Sequence, residues 1–411
     1  MNHTPLQKIL AFLAKKIIEK YQPTIIGVTG TVGKTSTKEA ITLVLSQFKT
    51  VRGSFGNHNN ELGLPLTVIG DYKEATGVFF WLGVIWDGVK KIIFQSEYPE
   101  FLVLEYAADK PGDIRYLTEI ARPNVAVVTA IGDMPAHAEF YSSKEALVRE
   151  KSRLVEAVPS NGIVILNADD LAVMTMETRS KAKVFKVGFY KESDLRIFNF
   201  ENRSHKLDGG YFRPDGISFK LEHKTSVIPI IINGVFGKSY SYALTNAVAV
   251  GLAFGFNLVK IAGALQYYHS IERRMRVYEG IRHSYIIDDT YNASPLSVSA
   301  ALETLHELES GRKVAILGDM LELGDFSEEA HYDIGKQASK IVGLLITVGE
   351  RAKLIAEAAI RFGFNEENVK IFNSTKEAKK SLRKLINEND LILVKASRRM
   401  KLEELVKELK K

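Results

Sequence analysis

An apolar run followed by a glycine-rich turn and a helix constrains the fold of this chain most strongly. Residues 24–30, TIIGVTG, read as a buried strand that ends in a glycine turn, and residues 35–45 read as the helix after it. Two further runs, FLVLEYA at 101–107 and VAVVTAIG at 125–132, are almost continuously apolar. Such runs are typical of parallel strands that are covered on both faces. The pattern therefore predicts an α/β fold with a mostly parallel sheet.

The alternation of strands and helices is interrupted and then restarts along the chain. Residues 184–235 alternate apolar and polar positions between turn signals, which predicts a β-rich elaboration of the first domain. From about residue 272 apolar runs return between helical patterns: SYIIDD, KVAILGD, LLITVG, VKIF and LILVKA. We therefore expect an N-terminal helix at 1–22, a P-loop-type central domain at 23–271 and a Rossmann-like α/β C-terminal domain at 272–411.

Composition excludes several classes of protein. The 411 residues include no cysteine, which excludes a disulfide framework and thiolate chemistry. The net charge of +6 arises from 55 basic and 49 acidic residues. A nucleic-acid partner more often goes with a concentrated basic patch than with a mild overall excess, and small anionic substrates such as nucleotides fit this charge equally well. We expect a cytoplasmic protein without a nucleic-acid partner.

Neither the N-terminus nor the most apolar stretch predicts membrane insertion. MNHTPLQKILAFLAKKIIEKY reads as an amphipathic helix and lacks the longer apolar run and cleavage site of a signal peptide. GVFFWLGVIW at 77–86 is far shorter than the ~20 residues that span a bilayer. We interpret it as a buried or interface helix. The alternative is an interfacial helix that rests on a membrane or a partner, because Lys90 and Lys91 follow it.

The segment GTVGKTS, residues 30–36, has the composition of a phosphate-binding turn. Its glycines let backbone N–H groups approach phosphate oxygens, and the helix N-terminus adds a partial positive charge. Lys34 would reach the terminal phosphates, and the Thr35 hydroxyl would bind Mg²⁺. The full GxxxxGK[ST] pattern is not met, because Val28 stands where its first glycine would be. A tight turn without a ligand is the alternative, and Lys-Thr directly after a glycine disfavours it. The predicted nucleotide-binding residues of the turn are Gly30, Thr31, Gly33, Lys34, Thr35 and Ser36.

A carboxylate and a histidine follow two other predicted strands. Glu105 ends the run FLVLE, and ligands of open α/β sheets gather at the carboxyl ends of strands. A carboxylate there can bind the Mg²⁺ that bridges nucleotide phosphates. His137 follows the run at 125–132, and Lys151 comes 14 residues later in a predicted helix. From chemistry alone, His137 reads as structural and Lys151 as a surface residue.

The segment HAEFYSSKEALVREK, residues 137–151, resembles the HLE-x-F-G-S…K segment of the Mur ligases, which are ATP-dependent amide ligases of peptidoglycan precursor synthesis. The resemblance implies that His137 is a magnesium ligand. It also implies that CO₂ carbamoylates Lys151, which turns a cation into an anion that helps to bind a second magnesium ion. ATP and two Mg²⁺ ions are the cofactors that follow from this resemblance.

Four more segments resemble the branch of this family that adds D-alanyl-D-alanine to a UDP-MurNAc-tripeptide. They are GNHNNELGLPLTVIG at 56–70, IIDDTYNASP at 286–295, AILGDMLELGDFSEEAH at 315–331 and VKASRRM at 394–400, in which Ala396 replaces a glycine. The resemblance implies that Asp289 binds the ribose of ATP and that Arg274 contacts ATP from the hinge. The residues that it assigns to substrate are Asn59, Asn60, Glu61, Tyr291, Asn292, Lys395, Ser397 and Arg398. Lys395, Ser397 and Arg398 would hold the dipeptide. An equal alternative is that they form only a basic cluster at the start of a helix.

Three departures from the family pattern leave parts of the function open. The family's N-terminal domain, which holds the UDP part of the substrate, has no counterpart here, so the acceptor is open and a partner that supplies this surface is one hypothesis. The adenine-binding G-x-H-N-x-x-N segment reads GKSYSYA at 237–243, so stacking by Tyr240 or Tyr242 is a second hypothesis. Residues 71–100 look like an insertion, which could compensate for the absent domain.

The activity implied by the resemblance is carboxylate activation by ATP. An acyl phosphate would form, the amine of a dipeptide would attack it, and closure of the two domains would complete the site. A folylpolyglutamate-synthase-like ligase with another acceptor is one alternative, although YNASP and LGDMLELG argue against it. A nucleotide-binding regulatory protein with weakened catalysis is the second, and a generic P-loop kinase is the weakest.

Overall fold

The computed structural model describes residues 4–56, 58–72, 77–132 and 140–411. It contains two sheets with helices on their faces, which confirms the predicted α/β fold class. The strands of the first sheet are β1 (Thr24–Thr29), β2 (Val51–Gly53), β3 (Phe101–Glu105), β4 (Val125–Val128), β5 (Ile163–Asn167), β6 (Lys183–Gly188), β7 (Leu195–Lys206), β8 (Phe212–His223) and β9 (Ser226–Asn233). Those of the second are β10 (Arg276–Glu279), β11 (Tyr285–Asp289), β12 (Lys313–Gly318), β13 (Leu344–Val348), β14 (Val369–Phe372) and β15 (Leu391–Lys395).

The first sheet has the order β2-β3-β1-β4-β5-β6-β7-β8-β9 over the described residues. Its strand pairs are parallel as far as β6–β7, and β7, β8 and β9 are antiparallel to one another. The long antiparallel strands are the β-rich elaboration that the alternating pattern predicts. The second sheet has the order β10-β11-β15-β12-β13-β14, in which only the β10–β11 pair is antiparallel.

The helices cover both faces of each sheet. They are α1 (Pro5–Tyr21), α2 (Lys34–Ser46), α3 (Gly63–Ile69), α4 (Val78–Ile93), α5 (Asp113–Ile120), α6 (Lys144–Ala157), α7 (Leu171–Met174), α8 (Lys238–Ala253), α9 (Leu258–Leu265), α10 (Pro295–Glu307), α11 (Ser327–Ala338), α12 (Lys353–Arg361), α13 (Thr375–Leu385) and α14 (Glu403–Leu409). On one face of the first sheet, buried side chains of α2, α8 and α9 form a core that continues into the second sheet and α10. On the other face, α1, α3, α5 and α6 form a separate core. The boundary predicted near residue 272 falls between α9 and β10 and stays a prediction.

Local signals explain where several helices begin. The Thr4 side chain accepts a hydrogen bond from the Gln7 N–H, and the Gln7 side chain accepts one from the Thr4 N–H, which is a capping box at the start of α1. At α6 the Ser143 hydroxyl accepts from the Ala146 N–H at 3.2 Å. These contacts satisfy backbone donors that have no partner within the helix, so each helix starts where its cap stands.

The apolar stretch at 77–86, interpreted from the sequence as a buried or interface helix, forms a helix that is buried on one side only. Within α4, Val84 is buried, but Phe79 is 90% exposed and Trp86 is 60% exposed. Among the helices that the structure describes, none is both long enough and apolar enough to cross a membrane.

Candidate active site

The glycine-rich turn lies between the end of β1 and the start of α2, at the carboxyl edge of the first sheet. Gly30 has a φ of +145°, and a Cβ atom there would lie 2.0 Å from the Thr129 Oγ1 atom. Gly33 has a φ of +87° at the N-cap of α2, a conformation that favours glycine. The Thr31 N–H donates to the Ala130 carbonyl oxygen at 2.6 Å, so the turn is fixed against the end of β4. The first N–H groups of α2 have no partner within the helix and are available for an anion.

Lys34 folds back over the turn that precedes it. Its Nζ atom donates to the carbonyl oxygens of Gly30, at 3.0 Å, and Thr31, at 3.3 Å. Burial lowers the pKa of Lys34; the nearby Glu105 carboxylate opposes this shift and the Arg274 guanidinium adds to it. The ammonium group therefore lies in a poorly solvated place where an anionic ligand would stabilise its charge.

Thr35 and Glu105 form a pair of oxygen atoms suited to a magnesium ion. Glu105 is 2% exposed and stands opposite Val28 in the register of β1 and β3. The Thr35 hydroxyl donates to one carboxylate oxygen of Glu105 at 3.0 Å, and the Asn59 side-chain amide donates to the other at 3.0 Å. A hydroxyl and a carboxylate are hard ligands, and Mg²⁺ in proteins is commonly bound by one or two carboxylates together with substrate phosphates. Within the part of the chain that the structure describes, no three His, Cys, Asp or Glu side chains form a metal cluster.

Lys151 lies inside the site, so the interpretation as a surface residue is wrong. It projects from α6, is 3% exposed, and its Nζ atom donates to the Gly30 carbonyl oxygen at 2.8 Å. Burial lowers the pKa of Lys151 to about 7, and the neighbouring charge of Lys34 adds to the effect. The residue paired with it by resemblance, His137, lies outside the described residues.

Arg274 lies just before β10 of the second sheet, and its side chain reaches α2 beside the first sheet. Its guanidinium donates to the Thr35 hydroxyl at 3.1 Å and lies 4.0 Å from the centre of the Tyr291 ring. The Arg398 guanidinium lies 5.7 Å from the same ring. The Arg274 carbonyl oxygen accepts from the Tyr240 hydroxyl at 2.7 Å. Arg274 thus joins the phosphate turn to residues of both sheets.

Asp289 and Lys395 end neighbouring parallel strands and form an ion pair. The Lys395 Nζ atom lies 2.5 Å from the Asp289 carboxylate and 2.9 Å from the Asn292 carbonyl oxygen, to which it also donates. The Met275 N–H donates to the other Asp289 carboxylate oxygen at 3.2 Å. A ribose bound at Asp289 would therefore share its carboxylate with a buried lysine.

These groups surround one cavity of about 280 Å³ between the two sheets. Of the residues predicted for the site, the cavity is lined by Gly30, Thr31, Gly33, Lys34, Thr35, Ser36, Asn59, Glu105, Lys151, Arg274, Asp289, Tyr291, Asn292 and Lys395. Asn60 and Glu61 instead line a smaller adjoining cleft with Asp109. Ser397 and Arg398 are not among the residues that line either space. The Ser397 hydroxyl accepts from the Leu321 N–H at 2.8 Å, and this bond links it to the cavity wall.

Several residues of the site had no assignment from the sequence. Asp109 lines the cavity shortly after β3, and its place beyond a strand end was a signal that could have found it. Leu321 and Glu322 belong to the LGDMLELG segment, which resembled the family as a whole but had no residue assigned. Lys38 is fully buried one turn after Lys34, where its Nζ atom donates to the Ser54 carbonyl and, at 2.9 Å, to the Gly56 carbonyl. It anchors the loop before Asn59.

The two tyrosines of the altered 237–243 segment have different places. Tyr240 is among the residues that line the cavity but is only 2% exposed. Tyr242 lies outside the lining, its ring packs against Phe189, and its hydroxyl donates to the Asp169 carboxylate at 2.7 Å. Ser239, which stands where the family has histidine, also lines the cavity.

Two family models match most of the chain. Residues 28–80 and 88–249 match the Mur ligase middle domain, and residues 273–398 match the domain described as "Mur ligase, glutamate ligase domain". The UDP-N-acetylmuramoyl-tripeptide–D-alanyl-D-alanine ligase of Bacillus subtilis is 31% identical over 97% of this chain and 78% of the relative. The ligase of the same name from Mycobacterium tuberculosis H37Rv is 32% identical over 91% of this chain and 70% of the relative.

Solved structures agree with these matches. MurF from Acinetobacter baumannii superposes with a TM-score of 0.79 at 25% identity, over 98% of this chain and 79% of that one. MurF ligase from Thermotoga maritima in complex with ADP has a TM-score of 0.78 at 24% identity, over 99% of this chain and 84% of that one, which shows a common fold. The family models, the extended identity to curated ligases and the shared fold lead to one conclusion: the chain belongs to the Mur ligase family.

Proposed function

We propose that this chain is an ATP-dependent ligase that joins D-alanyl-D-alanine to the terminal carboxylate of a UDP-MurNAc-tripeptide. The observation that carries the proposal is the convergence of a phosphate turn, a Thr35–Glu105 oxygen pair and Arg274 on one interdomain cavity. The names of the relatives in Bacillus subtilis and Mycobacterium tuberculosis support the choice of substrates. Because the proposed reaction consumes ATP and a nucleotide sugar, a cytoplasmic location goes with it.

Thr35 and Glu105 would hold the first magnesium ion. The ion would supply positive charge beside the phosphate oxygens of ATP. This charge would reduce the repulsion between the two anions that must meet, the triphosphate and the carboxylate of the tripeptide. The pair is preorganised, since Asn59 already orients the carboxylate and Arg274 already donates to the hydroxyl. A second ion would use His137 and a carbamoylated Lys151.

The residues of the turn and the hinge would position the two substrates. The free N–H groups of α2 and the Lys34 ammonium would bind the phosphates of ATP, and Asp289 would bind its ribose. The γ-phosphoryl group would pass from ATP to a carboxylate oxygen of the tripeptide, with ADP as the leaving group. The dipeptide amine would then attack the acyl carbon and lose a proton as inorganic phosphate leaves. Arg274 and Lys34 would stabilise the charge that develops during both steps.

Carbamoylation of Lys151 is the second part of the proposal. Only a neutral amine attacks CO₂, and a pKa of about 7 leaves much of the Lys151 population neutral near neutral pH. The product would be a carboxylate in place of a cation, beside the phosphate turn.

The substrate contacts follow from the resemblance and remain part of the proposal. Asn59 would organise the acceptor side with Asn60 and Glu61 of the adjoining cleft. Tyr291 and Asn292 would line the closed site. Lys395, Ser397 and Arg398 would hold the dipeptide carboxylate, although Lys395 must then exchange its contact with Asp289. We also propose that the chain divides at about residue 272 and that a partner supplies contacts to the UDP group.

The test is phosphate release from ATP and Mg²⁺, measured with UDP-MurNAc-tripeptide and D-alanyl-D-alanine added separately and together. Release that needs both substrates, with a UDP-linked pentapeptide identified by mass, is the expected result. Lys34→Ala should abolish release. Lys340→Ala is the matched control, since it removes an exposed lysine of α11's C-terminal loop and should leave release unchanged.

The same assay with folate and glutamate as substrates distinguishes this proposal from a ligase with another acceptor. Release with that pair, and none with the muramoyl substrates, would overturn the choice of acceptor but keep the ligase chemistry. ATP binding without release under any pair would instead favour a regulatory protein.

A further inference from the structure

Helix α4 presents a row of large apolar side chains to solvent. We define the α4 row as Phe79, Leu82, Trp86 and Ile93, which are 90%, 56%, 60% and 65% exposed. Their spacing of three, four and seven residues places them on one side of a helix. Soluble proteins rarely expose several large apolar side chains together without a function for them.

The opposite side of α4 is firmly attached to the protein. Val84 and Gly88 are buried, and a Cβ atom on Gly88 would lie 3.0 Å from a methyl group of Leu13 in α1. At the end of α1, the Lys20 ammonium donates to the carbonyl oxygens of Lys91, Ile92 and Phe94, at 2.7 to 3.1 Å. Helix α4 is therefore held in a fixed orientation with its apolar row outward, and a buried helix cannot be the explanation.

Positive charge is concentrated on the same two packed helices. Helices α1 and α4 contain six lysines against two acidic residues, a net charge of +4 within a chain whose total is +6: Lys8, Lys15, Lys16, Lys20, Lys90 and Lys91 against Glu19 and Asp87. The Lys90 ammonium lies 5.4 Å from the centre of the Trp86 ring, beside the apolar row. Helix α1 adds two exposed apolar side chains, Ile9 and Phe12.

Two members of the α4 row, Leu82 and Trp86, lie outside the match to the ligase family. The match to the Mur ligase middle domain is interrupted over residues 81–87, within α4. None of the residues of α4 lines the cavity between the sheets. The row therefore has no contact with the cavity of the candidate active site.

We propose that the face formed by α1 and the α4 row binds the surface of a lipid bilayer that carries anionic headgroups. Helix α4 would lie in the plane of the membrane, with its aromatic and aliphatic side chains among the acyl chains and its lysines at the phosphates. At 16 residues, the helix is about 24 Å long, which is too short to cross. Tryptophan and lysine side by side suit the boundary between headgroups and acyl chains.

Charge also decides between a membrane and a second copy of the chain. A symmetric dimer through this face would bring together two pairs of helices, each pair with a net charge of +4. Like charges across an interface disfavour association, whereas anionic headgroups complement them. The membrane is therefore the occupant that fits both the apolar and the charged parts of the face.

The experiment is vesicle flotation of the full chain, with tryptophan fluorescence as a second measurement. Trp81 and Trp86 are the only tryptophans, and both lie in α4, so a blue shift of the emission reports this helix alone. We expect binding to vesicles of phosphatidylcholine mixed with phosphatidylglycerol, and roughly tenfold weaker binding to phosphatidylcholine alone or at high salt.

Two variants test the face and one controls for added charge. Phe79→Glu with Leu82→Glu should reduce binding roughly tenfold or more, and Lys8→Glu with Lys90→Glu should reduce it to a similar extent on anionic vesicles. The matched control is Val259→Glu with Tyr267→Glu, which alters residues of similar exposure near α9, on the other face of the first sheet. That control should bind as the unaltered chain does.

Three results would overturn the proposal. The unaltered chain could remain unbound to anionic vesicles, or the Phe79 and Leu82 variant could bind as well as the control. Alternatively, sedimentation could show a dimer that the same variant dissociates, which would assign the face to a second copy. Thermal unfolding of each variant verifies that the fold is retained, and none of these measurements depends on the ligase activity.

Discussion

Replacement of Lys151 by methionine should stabilise the protein, and more so at pH 7 than at pH 9. The pKa of this buried amine is lowered from 10.5 to about 7 on folding, so the unfolded chain binds more protons between these values. Stability of the unaltered chain therefore rises with pH across this window, and the cost of burying Lys151 is fully present below pH 7. That cost is about 4 kcal/mol at pH 7 and about 2 kcal/mol at pH 9, from the two pKa values and the linkage relation.

Methionine has a similar length and no charge, so Lys151→Met removes this cost. It also removes the 2.8 Å hydrogen bond to the Gly30 carbonyl, which contributes about 1 kcal/mol. Lys34 still donates to the same oxygen at 3.0 Å. We expect a net gain of about 3 kcal/mol at pH 7 and about 1 kcal/mol at pH 9, together with loss of ligase activity.

The assay is urea unfolding at both pH values in CO₂-free buffer. Emission from Trp81 reports unfolding around Lys151, because Trp81 packs against the same core as α6, the helix that carries Lys151. Lys340→Met, at an exposed position, is the control and should show no such pH dependence. Bicarbonate should stabilise the unaltered chain but not Lys151→Met, because only the lysine can form a carbamate. An equal difference in stability at pH 7 and pH 9 would refute the reasoning that protonation of a buried amine sets the cost.

Three further substitutions test individual contacts of the site. Glu105→Gln should weaken binding of ATP in the presence of Mg²⁺ roughly tenfold or more by calorimetry, and unchanged affinity would remove Glu105 from the metal site. Arg274→Lys keeps the charge but loses the planar contact with Tyr291, so kcat/KM for ATP should fall roughly tenfold; Arg274→Ala, which also loses the charge, should fall further, and full activity of Arg274→Lys would contradict the role of the planar contact. Tyr242→Phe removes only the hydroxyl, so it should cost about 1 kcal/mol in stability through its lost bond to Asp169; Tyr242→Ala should leave the KM for ATP unchanged, and a raised KM would restore the stacking hypothesis.

Local sequence patterns were sufficient to predict the strands, turn and helix that build the site. The apolar strand, the glycines at positive φ and the helix start at Lys34 are consequences of short-range sterics and backbone hydrogen bonding, so the turn could be predicted from 13 residues, 24–36. The position of Glu105 followed in the same way, because the end of a buried strand lies at the edge of the sheet where ligands bind.

The environment of Lys151 could not be predicted from local chemistry. An isolated lysine in a helix is usually exposed, and only the packing of α6 on the phosphate turn buries this amine and brings it to Gly30. Resemblance to a family singled out the residue, but its burial and lowered pKa are properties of the assembled fold. Lys38 went unnoticed for the same reason.

Neighbouring residues along the chain specify the helices and strands, their order and the chemical character of the phosphate turn. The tertiary structure alone decided which side of α4 faces solvent, which strand ends meet at the cavity and which partner each charge has. Asp289 and Lys395 illustrate this, because they are 106 residues apart and become an ion pair only when β11 and β15 lie side by side. Contacts between distant segments depend on how helices and sheets pack, and that information is spread over the whole chain rather than held in any local pattern.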